Sequence, residues 1–215
     1  MAKREEIIGL LEGSGPEAIS GLGRKDPGLF RTLVSLSYDK GTLLSWRAIE
    51  AVGLLARELG MTNPEKVRTL AQRLLWMLRE ESGNNPWSVP DMLGEMVRNV
   101  PDQLADLAPI IASFHDEEIL RCGVLRALVR IGEVRPDLVM DQQPLVREYL
   151  AHADPVARAY AVLLAGTIKQ EALLEPLVTG AEGDGPTVTL YEDGEFRDWT
   201  LRGLARKITD AAKKG

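Results

Sequence analysis

The feature that most constrains this chain is a helical pattern that returns in five units. Trp46-Arg47, Trp87-Ser88, Leu120-Arg121, Ala157-Arg158 and Phe196-Arg197 align at spacings of 41, 33, 37 and 39 residues. Seven residues after the first member of each pair come Gly53, Gly94, Ala127, Leu164 and Gly203, a small residue in every unit but the fourth. Arg fills the second position everywhere except at Ser88, and Asp39, Asp116 and Asp154 stand in the turns before three of the units. A helix pair of about 35 to 45 residues cannot bury its apolar stripe alone, whereas stacked pairs share one continuous core. The small residue would let neighbouring helices approach. The turn acid and the helix arginine would tie one unit to the next.

Local signals place the elements. Residues 2–11 and 17–22 read as short helices, stopped by Gly13 to Pro16 and by Gly23. Asp26-Pro27 opens a helix to about Tyr38, with Asp26 as N-cap and Pro27 in the first turn. Residues 42–59 form a helix with Gly60 just beyond its end. Thr62 and Glu65 have capping-box spacing around Pro64, and Val67, Leu70, Ala71, Leu74 and Leu78 mark one apolar face of the helix that follows. Further helices are expected over 90–99, 101–114, 116–131, a segment between Pro136 and His152, 156–169 and 171–178. The composition then changes. Thr187 to Tyr191 alternates and is β-branched, and Asp193-Gly194 signals a type I′ turn, so 187–197 reads as a hairpin. A last helix runs from about Trp199 to Ala212.

The segments WRAIEAVGLLA, LRCGVLRALVRIG and DPVARAYAVLLAG resemble HEAT-type helical repeats, including the subgroup named after the phycobilisome lyases. The resemblance covers roughly 26–168 and does not extend to the hairpin. It implies an all-α fold: a right-handed αα-superhelix, a HEAT/armadillo-like solenoid of about five helical pairs, with a small β-hairpin near the C-terminus. Residues 1–215 would be one helical-repeat domain, with capping helices over 1–25, repeats over 26–180, and the hairpin and a C-terminal capping helix over 181–215. The family consists mostly of scaffolds and protein-binding surfaces, with a few enzymes. The second unit departs from the pattern, with Ser88 in place of Arg and a polar loop before it.

Charge and composition narrow the partners. Lys plus Arg number 26 against 32 for Asp plus Glu, a net charge of −6, which argues against broad binding to nucleic acid or anionic membranes. The one cysteine, Cys122, excludes an intramolecular disulfide framework. The apolar run from Ile7 to Leu11 is broken by Gly9 and is too short for a secretory core or a membrane span. A cytoplasmic protein with a protein partner and no cofactor is expected.

Trp46 and Trp87 occupy equivalent repeat positions, and each has an acid four residues on, Glu50 and Asp91. That spacing puts ring and carboxylate on one helix face. One reading is a groove of two indoles flanked by carboxylates, suited to a cationic or flat ligand; the other is packing between repeats, with the acids solvated. The pattern resembles in type the aromatic and acidic concave faces of alkylation-repair glycosylases, but such enzymes need a strongly basic face to hold phosphates.

The loop of residues 80–95 carries Glu80, Glu81, Ser82, Asn84 and Asn85, which would either line a polar pocket with Glu95 or simply cap the connection. Arg47, Arg121, Arg158 and Arg197 would form either a basic ladder or, preferentially, a structural Asp–Arg ladder. His115 and His152 read as turn residues, not metal ligands. Cys122 reads as a small buried residue. The hairpin would cap the open end of the stack, or present Tyr191 and Phe196 to a partner. There is no Walker loop, GxGxxG, HExxH, GxSxG or paired CxxC.

The expected function is a non-enzymatic binding scaffold with its candidate groove at Trp46, Arg47, Glu50, Glu81, Ser82, Asn84, Asn85, Trp87, Asp91 and Glu95. The alternative is a protein that handles a cofactor or small molecule, resembling phycobilin lyases, with a pocket near 80–95.

Overall fold

Side-chain caps start the helices that matter most. The Thr42 hydroxyl accepts from the Ser45 amide at 3.3 Å and opens α3 (Leu43–Gly60). Asp154 accepts from the Val156 amide at 2.8 Å ahead of α10 (Pro155–Thr167), and Thr200 accepts from Gly203 at 3.0 Å ahead of α12 (Leu201–Ala212). The computed structural model describes residues 4–23, 25–26, 28–79, 87–180 and 185–213. The remaining helices are α1 (Arg4–Ser14), α2 (Leu29–Leu36), α4 (Pro64–Arg79), α5 (Val89–Asn99), α6 (Pro101–Leu104), α7 (Leu107–Ala112), α8 (Arg121–Gly132), α9 (Gln143–Leu150) and α11 (Glu175–Thr179). The two strands are β1 (Thr187–Glu192) and β2 (Glu195–Thr200). The described chain is thus mostly helical, with one small antiparallel sheet near the C-terminus.

Several boundaries differ from expectation for local reasons. The single helix expected over 101–114 is split into α6 and α7. Pro109 offers no N–H to the Ala105 carbonyl, and its ring crowds that carbonyl. Helix α8 starts at Arg121, not near Asp116, because the Glu117 carbonyl takes the amides of both Leu120 and Arg121 at 2.9 Å and holds a turn. Asn63 caps α4, its side chain accepting from Lys66 N at 3.0 Å, while the Thr62 hydroxyl turns back to the Leu59 carbonyl.

Helices α3, α5, α8, α10 and α12 form a row in which each packs on the next. Along their flank, α2 lies on α3, α4 on α3 and α5, α7 on α5 and α8, α9 on α10, and α11 on α12. The small seventh-offset residues sit where row helices meet. A Cβ on Gly53 would lie 2.6 Å from the Glu95 carbonyl, and one on Gly94 would lie 2.6 Å from Ala127 Cα. The fifth unit fails: Phe196-Arg197 lies on β2, and Gly203 sits beside its own cap at Thr200. Here α10 meets α12 at Gly166 instead, against Ile208.

The hairpin turns at Asp193-Gly194 with φ of 51° and 84°, the positive pair that a type I′ turn needs, and its register is Tyr191 opposite Phe196. Its strands run three residues past the expected end, to Thr200. It does not merely close the end of the row. Strand β1 lies against α10, and Val188, Leu190 and Tyr191 are buried. The tip reaches α3, where Arg47 Nε donates to the Gly194 carbonyl at 3.2 Å. Among the described residues, no helix is long and apolar enough to cross a membrane.

Candidate functional site

Three neighbouring row helices each present two residues one turn apart to the same side. Helix α3 offers Trp46 and Glu50, α5 offers Asp91 and Glu95, and α8 offers Arg126 and Arg130. The i, i+4 spacing aligns each pair on one face, and packing α3 on α5 and α5 on α8 brings the three faces together. The hairpin closes over them with Tyr191.

The centre is a buried ion network. Asp91 and Glu95 are both 0% exposed and Arg126 is 2% exposed. Glu95 Oε1 accepts from Arg126 Nη2 and from Arg130 Nε, both at 2.8 Å. Asp91 is clamped by Lys40 Nζ at 2.6 Å, with Arg126 Nη1 3.7 Å away on its other side. The chain extends outward through Glu133, which takes Arg130 at 2.7 Å and Arg98 at 3.2 Å. Burial by itself pushes the Glu95 carboxyl up, but the Arg126 and Arg130 guanidiniums outweigh it and hold Glu95 below the usual carboxylate range. Burial likewise pulls Arg126 and Arg130 down, and the facing acids reverse this and raise both.

Aromatic rings roof the network. Trp46 and Tyr191 stack with centroids 5.6 Å apart and planes 12° apart. Arg126 lies 5.0 Å from the Trp46 centroid and 5.9 Å from that of Tyr191, and Lys40 lies 5.1 Å from Trp46. Trp46 Nε1 donates to the Lys40 carbonyl at 2.8 Å, and the Tyr191 hydroxyl donates to Glu50 Oε2 at 2.5 Å. Burial, then the Glu50 acceptor, pushes the Tyr191 phenol well above its ordinary range, so it stays protonated. Beside this cluster, between the hairpin tip and helices α5, α8 and α10, is a cavity of about 290 Å³ bordered by Arg98, Arg130, Glu133, Tyr160 and Glu192.

The expected groove residues are therefore divided. Trp46, Glu50, Asp91 and Glu95 come together, but as a covered network, not as an open groove. Trp87 does not join them: it is 44% exposed in the turn before α5, and among the described residues the ring stacked on Trp46 is that of Tyr191. The repeat register fails here because Ser88, not Trp87, points inward, its hydroxyl donating to the Ser37 carbonyl at 2.5 Å. Arg47 binds carbonyls, those of Gly194, Leu11 at 2.9 Å and Glu12 at 2.8 Å. Glu81, Ser82, Asn84 and Asn85 lie outside the described residues.

The Asp–Arg ladder takes a different form. Arg121 reaches the backbone carbonyl of Asp116, not its carboxylate, and Arg197 pairs with Glu192 and Asp193 within the hairpin. Asp154 is committed to capping α10 and to the Cys122 thiol at 3.2 Å. Burial, and then the Asp154 charge, push that thiol up to about 12. His115 and His152 sit in turns, where His115 meets the Tyr149 hydroxyl at 3.0 Å and His152 accepts from the Asp154 amide. Among the described residues no group of three or more His, Cys, Asp or Glu side chains is placed to hold a metal ion.

Sequence reasoning missed Lys40, Arg126 and Arg130, and it offered Tyr191 to a partner, whereas the ring stacks on Trp46 within the network. A usable signal existed for the two arginines. Arg126 interrupts the apolar run from Val124 to Ile131, and an arginine flanked on all sides by core residues requires a buried acid. Compared with family models, with curated proteins and with solved structures, the chain matches none.

Proposed function

We propose that the protein is a non-catalytic binding scaffold, a HEAT-like αα-superhelix whose row of second helices forms the concave face, and that a protein partner engages this face at the rim of the hairpin-covered cavity. The observation that carries the reading is the direction in which the face's ionisable groups are shifted. A general acid or base works best with its pKa near the operating pH. Here Glu95 is driven down, while Arg126, Arg130, Tyr160 and Tyr191 are driven up. Each is thereby fixed in its ordinary charge state. The cavity, at about 290 Å³, falls just below the range of small-molecule pockets, about 300–1,000 Å³. The rim residues Glu192, Lys207 and Glu133 supply charges of both signs, as the polar rim of a protein interface does. The acidic balance of the chain supports a partner other than nucleic acid.

The test is site-specific photo-crosslinking in host lysate. A photo-reactive phenylalanine analogue would be placed at Leu163, which borders the cavity, and at the exposed Ile119 as control. The scaffold reading expects discrete protein adducts from Leu163 and none of the same mass from Ile119. A saturable thermal shift from a metabolite library, with no adduct specific to Leu163, would replace it by small-molecule handling.

A further inference from the structure

The best candidate away from the concave face is the cleft between α2 and α4. Both helices pack on α3, and they leave an open cavity of about 420 Å³ between them. It shares no lining residue with the hairpin-covered cavity. Its floor is apolar, with Val34 buried and Phe30 half-buried. Its rim carries two large exposed aromatics, Trp76 at 58% and Tyr38 at 40% exposure. A soluble surface that leaves an indole this exposed beside a concave apolar floor is of the kind that anchors a partner.

Charge selects the partner. Among the described residues, the cations on the cleft are Arg31 and Arg73, one from each helix, and no acid lines it. Both arginines are exposed, and neither has a hydrogen bond or ion pair with a described residue. Arg68, five residues earlier on α4, shows the contrast: it is tied to Asp106 at 2.8 and 2.9 Å. Two guanidiniums without a partner among the described residues, one on each helix lining an apolar floor, on a chain of net charge −6, favour a ligand that is apolar in the middle and anionic at the edges. The acidic remainder of the surface would repel such a ligand elsewhere.

We infer that the α2–α4 cleft docks a short amphipathic segment of a partner protein, whose apolar side chains fill the floor against Trp76 and whose flanking carboxylates pair with Arg31 and Arg73. Helix α4, at 16 residues, is long enough to accompany several turns of such a segment. This docking stands apart from the concave-face reading, since the two cavities can be occupied or emptied separately.

The experiment is selection of a phage-displayed random 16-residue peptide library on the wild-type chain, with counter-selection on an Arg31→Glu, Arg73→Glu variant. Both substitutions are at exposed positions, and circular dichroism would verify the fold. Recovered peptides, made synthetically, would be titrated by fluorescence anisotropy. The expected peptides have apolar anchors three or four residues apart flanked by Asp or Glu. Their affinity should fall about tenfold or more in the double variant and in Trp76→Ala. A peptide with its acids changed to Lys should regain binding to the Glu variant. The inference is overturned if no peptide survives counter-selection, or if survivors are neutral or basic. It is equally overturned if sedimentation shows a wild-type dimer that the double variant dissociates, because the occupant is then a second copy of the chain.

Discussion

Glu95→Gln is the most demanding test of the buried network. The substitution keeps size and shape and removes one charge. Glu95 Oε1 holds Arg126 and Arg130 at 2.8 Å, and Oε2 lies 3.4 Å from Arg130 Nη2. A glutamine amide can keep one acceptor there, but its NH2 then faces a guanidinium. Arg126, only 2% exposed, is left with Asp91 at 3.7 Å. Removing one partner of a buried ion pair costs about 3–5 kcal/mol. For a chain of this size each kcal/mol is worth about 2–4 °C, so the melting temperature should drop by roughly 6–20 °C. Urea unfolding followed by circular dichroism measures the loss.

The control is Glu133→Gln, whose carboxylate is 38% exposed and should cost less than about 1 kcal/mol. The pH dependence supplies the second arm. Glu95 is held below the ordinary carboxylate value, so its contribution is complete above about 4.5 and is lost as pH falls through the lowered value. The wild type should therefore lose stability on acidification, and the variant should be flatter over the same window. A loss under about 1 kcal/mol, or one erased by molar salt, would refute the reasoning, since either means that water already screens the site.

Other predictions follow from packing and reactivity. Gly94→Ala places a methyl 2.6 Å from Ala127 Cα and should destabilise by about 1–3 kcal/mol, whereas Gly9→Ala, with nothing within 4 Å on α1, should be neutral or stabilise by up to about 1 kcal/mol; parallel thermal melts separate them. Tyr191→Ala removes the ring over Trp46 and should raise both the tryptophan emission wavelength and amide exchange in β1, at a cost of about 3–5 kcal/mol; unchanged emission would mean that the stack is absent in solution. With its thiol pushed to about 12, Cys122 should be alkylated at pH 8 at least about a hundredfold more slowly in the folded than in the urea-unfolded chain.

Much of the helical pattern was legible because it is written locally. Thr42, Asp154 and Pro155 cap or start helices through atoms two or three residues away, and Asp193-Gly194 sets its turn by backbone preference alone. The repeat alignment also located real helix–helix contacts at Gly53 and Gly94, since a small residue there is a condition for close approach. It failed in its last unit because a pattern of two residues and an offset cannot distinguish a helix from strand β2. The separate local reading of one helix over 101–114 erred because it ignored the donor missing at Pro109.

The candidate site was legible as residue types and not as a state. Spacing put Trp46 with Glu50, and Asp91 could be matched to Trp87 on the same rule. Whether those acids face water or a guanidinium depends on what lies across the helix–helix contact. The answer was Arg126, 31 residues beyond Glu95 in the chain, and Tyr191, 141 residues beyond Glu50. Periodicity, caps and turn chemistry act through neighbours in sequence, so the chain by itself determined the succession of helices, the hairpin and the small residues between helices. Burial, ion pairing and ring stacking act through neighbours in space. Only the tertiary structure, by folding the hairpin back across α10 to α3, decided that the acidic and aromatic face would be a covered network, and left the cleft between α2 and α4 open.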